Sequence, residues 1–374
     1  MSGVASQPRW QHYVLLREER LRRFWQDHFA RGERSLLFVL GWGFDPRMCL
    51  GVQLVLASGG TGARDVLALE LREGAASPSL THQNLISRNW TELQALVQGR
   101  SKISVRPIEF WSAEGRRVSS QSARDLFSSA GSLAGYTDLV VDISAMPRSI
   151  YFPLLARILY FLDNAPPSEA PPVNLHVLVA EDPALDAGIR EEGIDKEAEF
   201  MASFGGGFDQ EATQTPKVWI PLMGEHRTTQ FDRIHERVDP GEVCPVLPSP
   251  SRNPRRGDDI IIEYQRVLFD ELRLDPKEFL YASEQNPFEV YRQLRTAVLH
   301  YGEVFKLLGG CKVALSTLSS KLMSLGALLV AYELKQANFD IGVAHIECQG
   351  YTINSAETNP ELVGLWLSGE SYGP

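Results

Sequence analysis

Residues 138–162 read DLVVDISAMPRSIYFPLLARILYFL, a buried strand, a short polar loop and a long apolar helix. In residues 138–144, Leu139, Val140, Val141 and Ile143 surround one acid, Asp142. Continuous apolar character without strict alternation predicts a parallel strand covered on both faces. The loop Ala145-Met146-Pro147-Arg148-Ser149 follows. Proline is tolerated in a first helical turn, where an amide has no intrahelical partner. Arg148 then stands at the mouth of the helix. Unpaired N–H groups and the helix dipole favour anions there, and the planar guanidinium adds a permanent charge.

The same grammar occurs twice more. Residues 36–56 read as strand (LLFVLG), loop (GWGFDPR, ending at Arg47) and helix (MCLGVQLVL). Residues 312–334 read as strand (KVALSTL), loop (Ser319-Ser320-Lys321) and helix (LMSLGALLVAYEL). Parallel strands would bring Arg47, Arg148 and Lys321 to the carboxyl edge of a sheet, where open α/β folds bind ligands. This predicts an anion site for phosphates of a nucleotide-like ligand. Ser144, Ser316, Ser319 and Ser320 would be hydroxyl donors, and Asp142 would position the Arg148 loop. Arginine–phosphate bonds are roughly twice as strong as neutral ones. Local capping and surface solvation is the competing reading of each cation.

The 374 residues suffice for two domains. Hydrophobic content of 44% and charged content of 22% are those of a soluble globular protein. A formal net charge of −10 argues against generic duplex DNA binding, which needs a basic footprint. The cysteines (Cys49, Cys244, Cys311 and Cys348) form no C-x-x-C pair, so neither a disulfide framework nor a zinc knuckle is expected, and a reducing cytoplasm fits. No run approaches the roughly 20 apolar residues of a membrane span, and no signal peptide is evident.

An amphipathic helix is expected over residues 10–30, with Val14, Leu21, Trp25 and Phe29 on one face and arginines on the other. Strands at 36–40, 66–71, 103–110, 139–144 and 175–180 alternate with helices at 48–57, 90–98, 120–130 and 150–162. Such alternation predicts βαβ units and a mainly parallel sheet. Residues 163–173 carry four prolines and read as a stiff connector. A second alternation places strands at 217–222, 243–247, 279–282, 313–318 and 341–347, and helices at 230–237, 258–273, 288–308 and 322–336. The fold class is therefore α/β: two Rossmann-like halves with mainly parallel sheets and an N-terminal amphipathic helix. The expected segments are an N-terminal helical arm (1–34), a first half (35–182), a mobile acidic and glycine-rich insert (183–216), a second half (217–353) and a loosely ordered tail (354–374).

Catalytic constellations are poor. The chain lacks H-E-x-x-H, a G-x-S-x-G elbow and a Walker A loop. No metal site and no cofactor are expected. His176 and His345 lie in apolar strands and read as satisfied core residues. An enzyme reading would be a nucleotide or phosphoester hydrolase using Asp142 or Asp45 as acid/base.

The segment Val141-Asp142-Ile143-Ser144…Arg148 resembles the strand-and-loop signature of CARF domains, the CRISPR-associated Rossmann-fold ligand sensors. Residues 316–331 (STLSSKLMSLGALLVA) are similar to the same pattern, with Ser320-Lys321, Met323 and a small-residue helix core in the matching places. The two-half layout resembles that of SAVED domains. The resemblance implies a non-catalytic sensor of nucleotides or cyclic oligonucleotides in prokaryotic antiviral defence, with a protein partner and in a cytoplasmic setting, and allows a homodimer. It implicates Ser144 and Arg148 in one loop and Ser319, Ser320 and Lys321 in the other. The glycine pair of the family pattern is absent from both loops. Pro147 even removes an amide donor, which implies a changed ligand or a ligand-free assembly role.

Overall fold

The computed structural model describes residues 7–97, 99, 101–165, 172–208, 215–354 and 357–372. In chain order the elements begin β1 (Val14–Arg17), α1 (Glu18–Ala30), β2 (Leu36–Trp42), α2 (Leu50–Ala57), β3 (Arg64–Arg72), α3 (Gln83–Val97), β4 (Ile103–Glu109) and α4 (Ser119–Arg124). Then come β5 (Asp138–Asp142), α5 (Arg148–Asp163), β6 (Asn174–Glu181), α6 (Pro183–Gly188), β7 (Ile189–Glu192), β8 (Glu199–Gly205), β9 (Lys217–Leu222) and α7 (Thr228–Val238). The rest are β10 (Glu242–Val243), β11 (Val246–Pro248), α8 (Arg256–Glu263), β12 (Leu280–Ala282), α9 (Pro287–Val304), β13 (Lys312–Thr317), α10 (Lys321–Gln336), β14 (Ile341–His345), β15 (Gly350–Ile353) and β16 (Glu361–Ser368). Among the described residues, no helix is long and apolar enough to cross a membrane. The fold is α/β, built as two compact units, each with a mainly parallel sheet.

The first unit comprises residues 13–193 and 348–372. Its sheet runs β4-β3-β2-β5-β6-β16-β1. Strands β2 to β6 are parallel, while β16 is antiparallel to β6 and β1 antiparallel to β16. The chain moves outward through β2, β3 and β4, then returns to the other side of β2 with β5. The strand order therefore reverses between β2 and β5. Helix α5 is buried almost all round, as an apolar sequence without a polar stripe requires.

The second unit comprises residues 7–12 and 194–347. Its sheet runs β12-β11-β9-β13-β14-β8, with β10 beside β9. Strands β9 to β14 are parallel, and β8 is antiparallel to β14. The path repeats the first unit's: outward through β9, β11 and β12, then back to the other side of β9 with β13. Here the order reverses between β9 and β13. Trp10 is fully buried in this unit and meets Tyr291 edge-on at 5.4 Å.

Several segment boundaries differ from the sequence reading. The helical arm expected over 1–34 is shorter: Val14–Arg17 pairs with β16, and only Glu18–Ala30 is helical. Residues 1–6 lie outside the described residues. The apolar face of α1 (Leu21, Trp25 and Phe29) is buried in its own unit. The segment expected as an insert, 183–216, holds α6, β7 and β8, with its glycines turning the chain after β8. Its residues 209–214, like residues 166–171 of the proline connector and Gln98 of a helix, lie outside the described residues. The loosely ordered tail expected over 354–374 contains β16, flanked on both sides by strands. Its polar surroundings concealed the apolar run Leu362-Val363-Gly364-Leu365-Trp366-Leu367. The strand expected at 243–247 is broken into β10 and β11 at Pro245, which has no amide to give the ladder. The helix expected over 120–130 ends at Arg124, and that over 258–273 gives way to a π-helical turn, Arg266–Glu271.

Candidate functional site

Each unit has one place where a ligand crevice is expected: the carboxyl ends of the two strands at which strand order reverses. In the first unit these are the loops after β2 and β5. In the second they are the loops after β9 and β13. The sequence-predicted residues Arg47, Asp142, Ser144 and Arg148 fall at the first, and Ser319, Ser320 and Lys321 at the second.

The first crevice is filled by its own side chains. Arg47, expected as a phosphate clamp, is 1% exposed and binds Asp45 through Nε (3.0 Å) and Nη2 (2.8 Å). Its Nη1 reaches Asp186 Oδ1 at 2.8 Å and donates to the Ala180 carbonyl at 3.2 Å. Burial works against this charge, but Asp45 and Asp186 more than offset it and hold the guanidinium ionised. Its donors are thus engaged within the unit, and Asp45 is engaged with it. Asn89 Nδ2 ties the loop down further, donating to the Gly43 and Asp45 carbonyls at 2.9 Å.

Asp142 and Ser144 are also internal. Asp142 Oδ1 accepts the Ser144 amide at 2.9 Å, and Ser144 Oγ accepts the Ala180 amide at 2.7 Å. These bonds bind the β5 loop to β6. Met146 is buried, and a Cβ placed on Gly41 would lie 3.0 Å from both Met146 Cγ and the Ala145 carbonyl oxygen. The loop after β5 thus folds over the end of β2. Arg148 is half-buried as the first residue of α5, and Pro147 is the residue before the helix.

The second crevice is built differently. Gly224, just past β9, meets the loop after β13 so closely that a Cβ would lie 2.0 Å from the Leu318 carbonyl oxygen. Only glycine allows this approach. Ser319 is buried, its Oγ 3.1 Å from Met323 Sδ. Ser320 caps α10, its Oγ accepting the Met323 amide at 3.3 Å. Ser320 and the first helical residue, Lys321, are both half-buried. Ser316 is internal: its Oγ accepts from Trp219 Nε1 at 3.1 Å.

Beside Gly224, Arg256 bridges two loops of the same carboxyl edge. Its Nε and Nη2 each lie 2.7 Å from a Glu225 oxygen, and its Nη1 donates to Glu284, which follows β12. Burial pushes the Glu225 carboxyl up, but the Arg256 fork more than offsets this and holds it below the usual carboxylate range. Sequence reasoning missed this triad. Its members are 59 positions apart at the extremes, and only the parallel register of β9, β11 and β12 brings them to one edge.

A second missed cluster lies at the opposite, amino-terminal edge of the first unit's sheet. Asp138 Oδ1 lies 2.7 Å from His28 Nε2 and 3.4 Å from His176 Nε2. Thr137 Oγ1 donates to Asp138 Oδ2 at 2.7 Å, Asn174 Nδ2 donates to Oδ1 at 3.0 Å, and Arg34 Nη1 lies 3.6 Å from Oδ2. Burial pushes the Asp138 carboxyl up, but His176, His28 and Thr137 more than offset it and hold it far below its usual range. Burial also holds His176 below the usual histidine value. The donor atoms of His28, Asp138 and His176 lie within 4.8 Å of one another, close enough for a metal ion. The charge balance does not fit one. Asp138 already faces the Arg34 guanidinium at 3.6 Å and feels the nearby charge of Arg64, so a dication would add to positive charge already present beside a buried carboxylate. The cluster is a hydrogen-bond hub, and His176 is not the simply satisfied core residue that the sequence suggested.

No protein-family profile and no curated protein matches this chain. Among solved structures, it is similar to a candidate universal stress protein from Pseudomonas aeruginosa UCBPP-PA14, with 13% identity over 85% of this chain and 94% of that one, at a TM-score of 0.22. An uncharacterized protein from Mycobacterium Paratuberculosis shares 11% identity over 85% of this chain and 86% of its own, at a TM-score of 0.21. The Streptomyces sp. SF2575 glycosyltransferase SsfS6, complexed with thymidine diphosphate, shares 12% over 80% and 86%, at 0.19. Likenesses at such TM-scores carry no argument about this chain.

Proposed function

We propose that this protein binds a nucleotide-type ligand through its phosphates at the β9/β13 crevice and acts as a non-catalytic sensor or accessory subunit in a prokaryotic defence or signalling complex. One observation carries the reading. Ser319, Ser320 and Lys321 stand at the carboxyl end of β13, where the strand order reverses, and Lys321 opens a 16-residue helix. Strand-order reversal, helix start and cation coincide at one point, as phosphate recognition requires. Arg148 occupies the matching position in the first unit, as the first residue of the 16-residue α5. The resemblance to CARF and SAVED domains supports the sensor role, and the cytoplasmic setting belongs to the same reading.

The hydrolase reading has weaker support, because Asp45 is locked onto Arg47 and Asp142 is 1% exposed. A ligand-free assembly role would have to use the exposed, arginine-bearing face of α1, since its apolar face is already covered within the unit.

Thermal unfolding in the presence of ADP and of a cyclic triadenylate tests the proposal. Ligand at 100-fold above Kd stabilises a two-state fold by about 2.7 kcal/mol. A rise in Tm that is lost in a Ser320→Ala, Lys321→Ala double variant is the expected result. No rise with either probe, or a rise that survives the double variant, would overturn the assignment.

A further inference from the structure

We propose that Glu225 is a built-in stand-in for the ligand's phosphate: it holds the Nε/Nη2 edge of Arg256 until a phosphate takes its place, making Arg256 the sensing residue of the β9/β13 site. The inference rests on the binding reading above and adds the residue that registers occupancy.

A carboxylate bound by two parallel N–H groups at 2.7 Å occupies the positions that two phosphate oxygens would take on the same edge. Arg256 is also the first residue of α8, an eight-residue helix, so Glu225 supplies negative charge where the helix dipole favours it. The two carboxylates on Arg256 are not equivalent. The Glu284 side chain is 7% exposed and also accepts the Arg252 amide at 3.3 Å. The Glu225 side chain is 30% exposed. Glu284 therefore anchors the guanidinium, and Glu225 can swing into water when displaced.

Glu225 is also coupled to the loop after β13. Gly224 precedes it, against the Leu318–Ser319 backbone, so a shift of Glu225 is felt at the loop carrying Ser320 and Lys321. His226 follows with φ of +60°, a left-handed conformation that stores strain in a non-glycine residue. Its amide is held by Glu263 Oε1 at 2.8 Å. The ligand class follows from the vacated edge: a phosphate or diphosphate group with two coplanar acceptor oxygens and more charge than a carboxylate.

Calorimetric titration of the full chain with inorganic pyrophosphate tests this, with Tm recorded for every variant. Glu225→Gln removes the competing charge and should tighten binding about tenfold, the equivalent of one charge-assisted contact. Arg256→Ala should weaken binding, and Glu225→Gln should give no gain in the Arg256→Ala background. Glu225→Ala provides the same test should the glutamine variant fail to fold. If Lys321→Ala weakens binding but Glu225→Gln leaves it unchanged or weakens it, the stand-in role is wrong and the site assignment survives. If neither the wild type nor Glu225→Gln binds pyrophosphate, while ADP and the cyclic triadenylate also leave Tm unmoved, both fall together.

Discussion

Asp138 concentrates more of the first unit's polar chemistry than any residue singled out from the sequence. It joins α1 through His28, β6 through Asn174 and His176, and the C-terminal segment through Arg34 and Glu370. Replacing it leaves these donors buried without their acceptor, so Asp138→Ala should cost about 3–5 kcal/mol in urea unfolding. The hub also sets a pH dependence. His176 is fully enclosed, and burial keeps its folded pKa below the unfolded value of about 6.5. Below about pH 6.5 the unfolded chain therefore binds a proton that the folded chain refuses, and stability falls as pH falls. For one proton the slope is at most about 1.4 kcal/mol per pH unit. His176→Gln should flatten it in thermal melts between pH 5 and 7, while an unchanged slope would place the titration elsewhere. Asp138, with its lowered pKa, adds its own loss only at far lower pH.

At the level of elements, the strand–loop–helix units of β2, β5 and β13 were legible because local chemistry writes them. Apolar β-formers, a short polar loop and an apolar helix need no tertiary information. The parallel alternation was legible for the same reason. What each loop does was not legible. Arg47, Arg148 and Lys321 follow the same grammar, yet Arg47 is neutralised by Asp45 and Asp186, the latter more than 130 positions away. Asp186 sits on a short helix that the sequence reading assigned to an insert. Strand β16 escaped notice because eight residues within a polar stretch give a weak local signal, and its partners β6 and β1 are remote in sequence. Gly224→Ala separates these levels experimentally. Its Cβ would clash with the Leu318 carbonyl oxygen, so it should destabilise the second unit by about 1–3 kcal/mol and weaken pyrophosphate binding. Retained stability and binding would show that the β9 and β13 loops need not be so close.

Across the whole chain, the two units share one strand path, outward over three strands and back beside the first. A 16-residue helix opening on a cation follows the fourth strand in each. This common plan matches the two strand–helix alternations read from the sequence. Neither unit is a continuous segment. The first draws β16 from the C-terminal region, and the second draws Trp10 from the N-terminal region. The cut at residue 353 suggested by the sequence would remove β16 and expose its flanking strands. A chain ending there should lose the cooperative unfolding of the first unit in circular dichroism melts. Trp10→Ala should cost the second unit about 3–5 kcal/mol, as expected for a large buried aromatic. A negligible effect would mean that the N-terminal segment is merely laid on the surface.

The sequence by itself determined the α/β class, the parallel strands, the division into two Rossmann-like halves and the placing of Arg148 and Lys321 at the mouths of two helices. These follow from hydrophobic periodicity and turn chemistry, which act over a few residues. Only the tertiary structure decided which cation is spent on internal carboxylates, that Glu225, Arg256 and Glu284 meet at one sheet edge, and that Asp138 gathers two histidines. Those outcomes depend on charges that are distant in sequence and on the register of β-strands, and no local pattern encodes either.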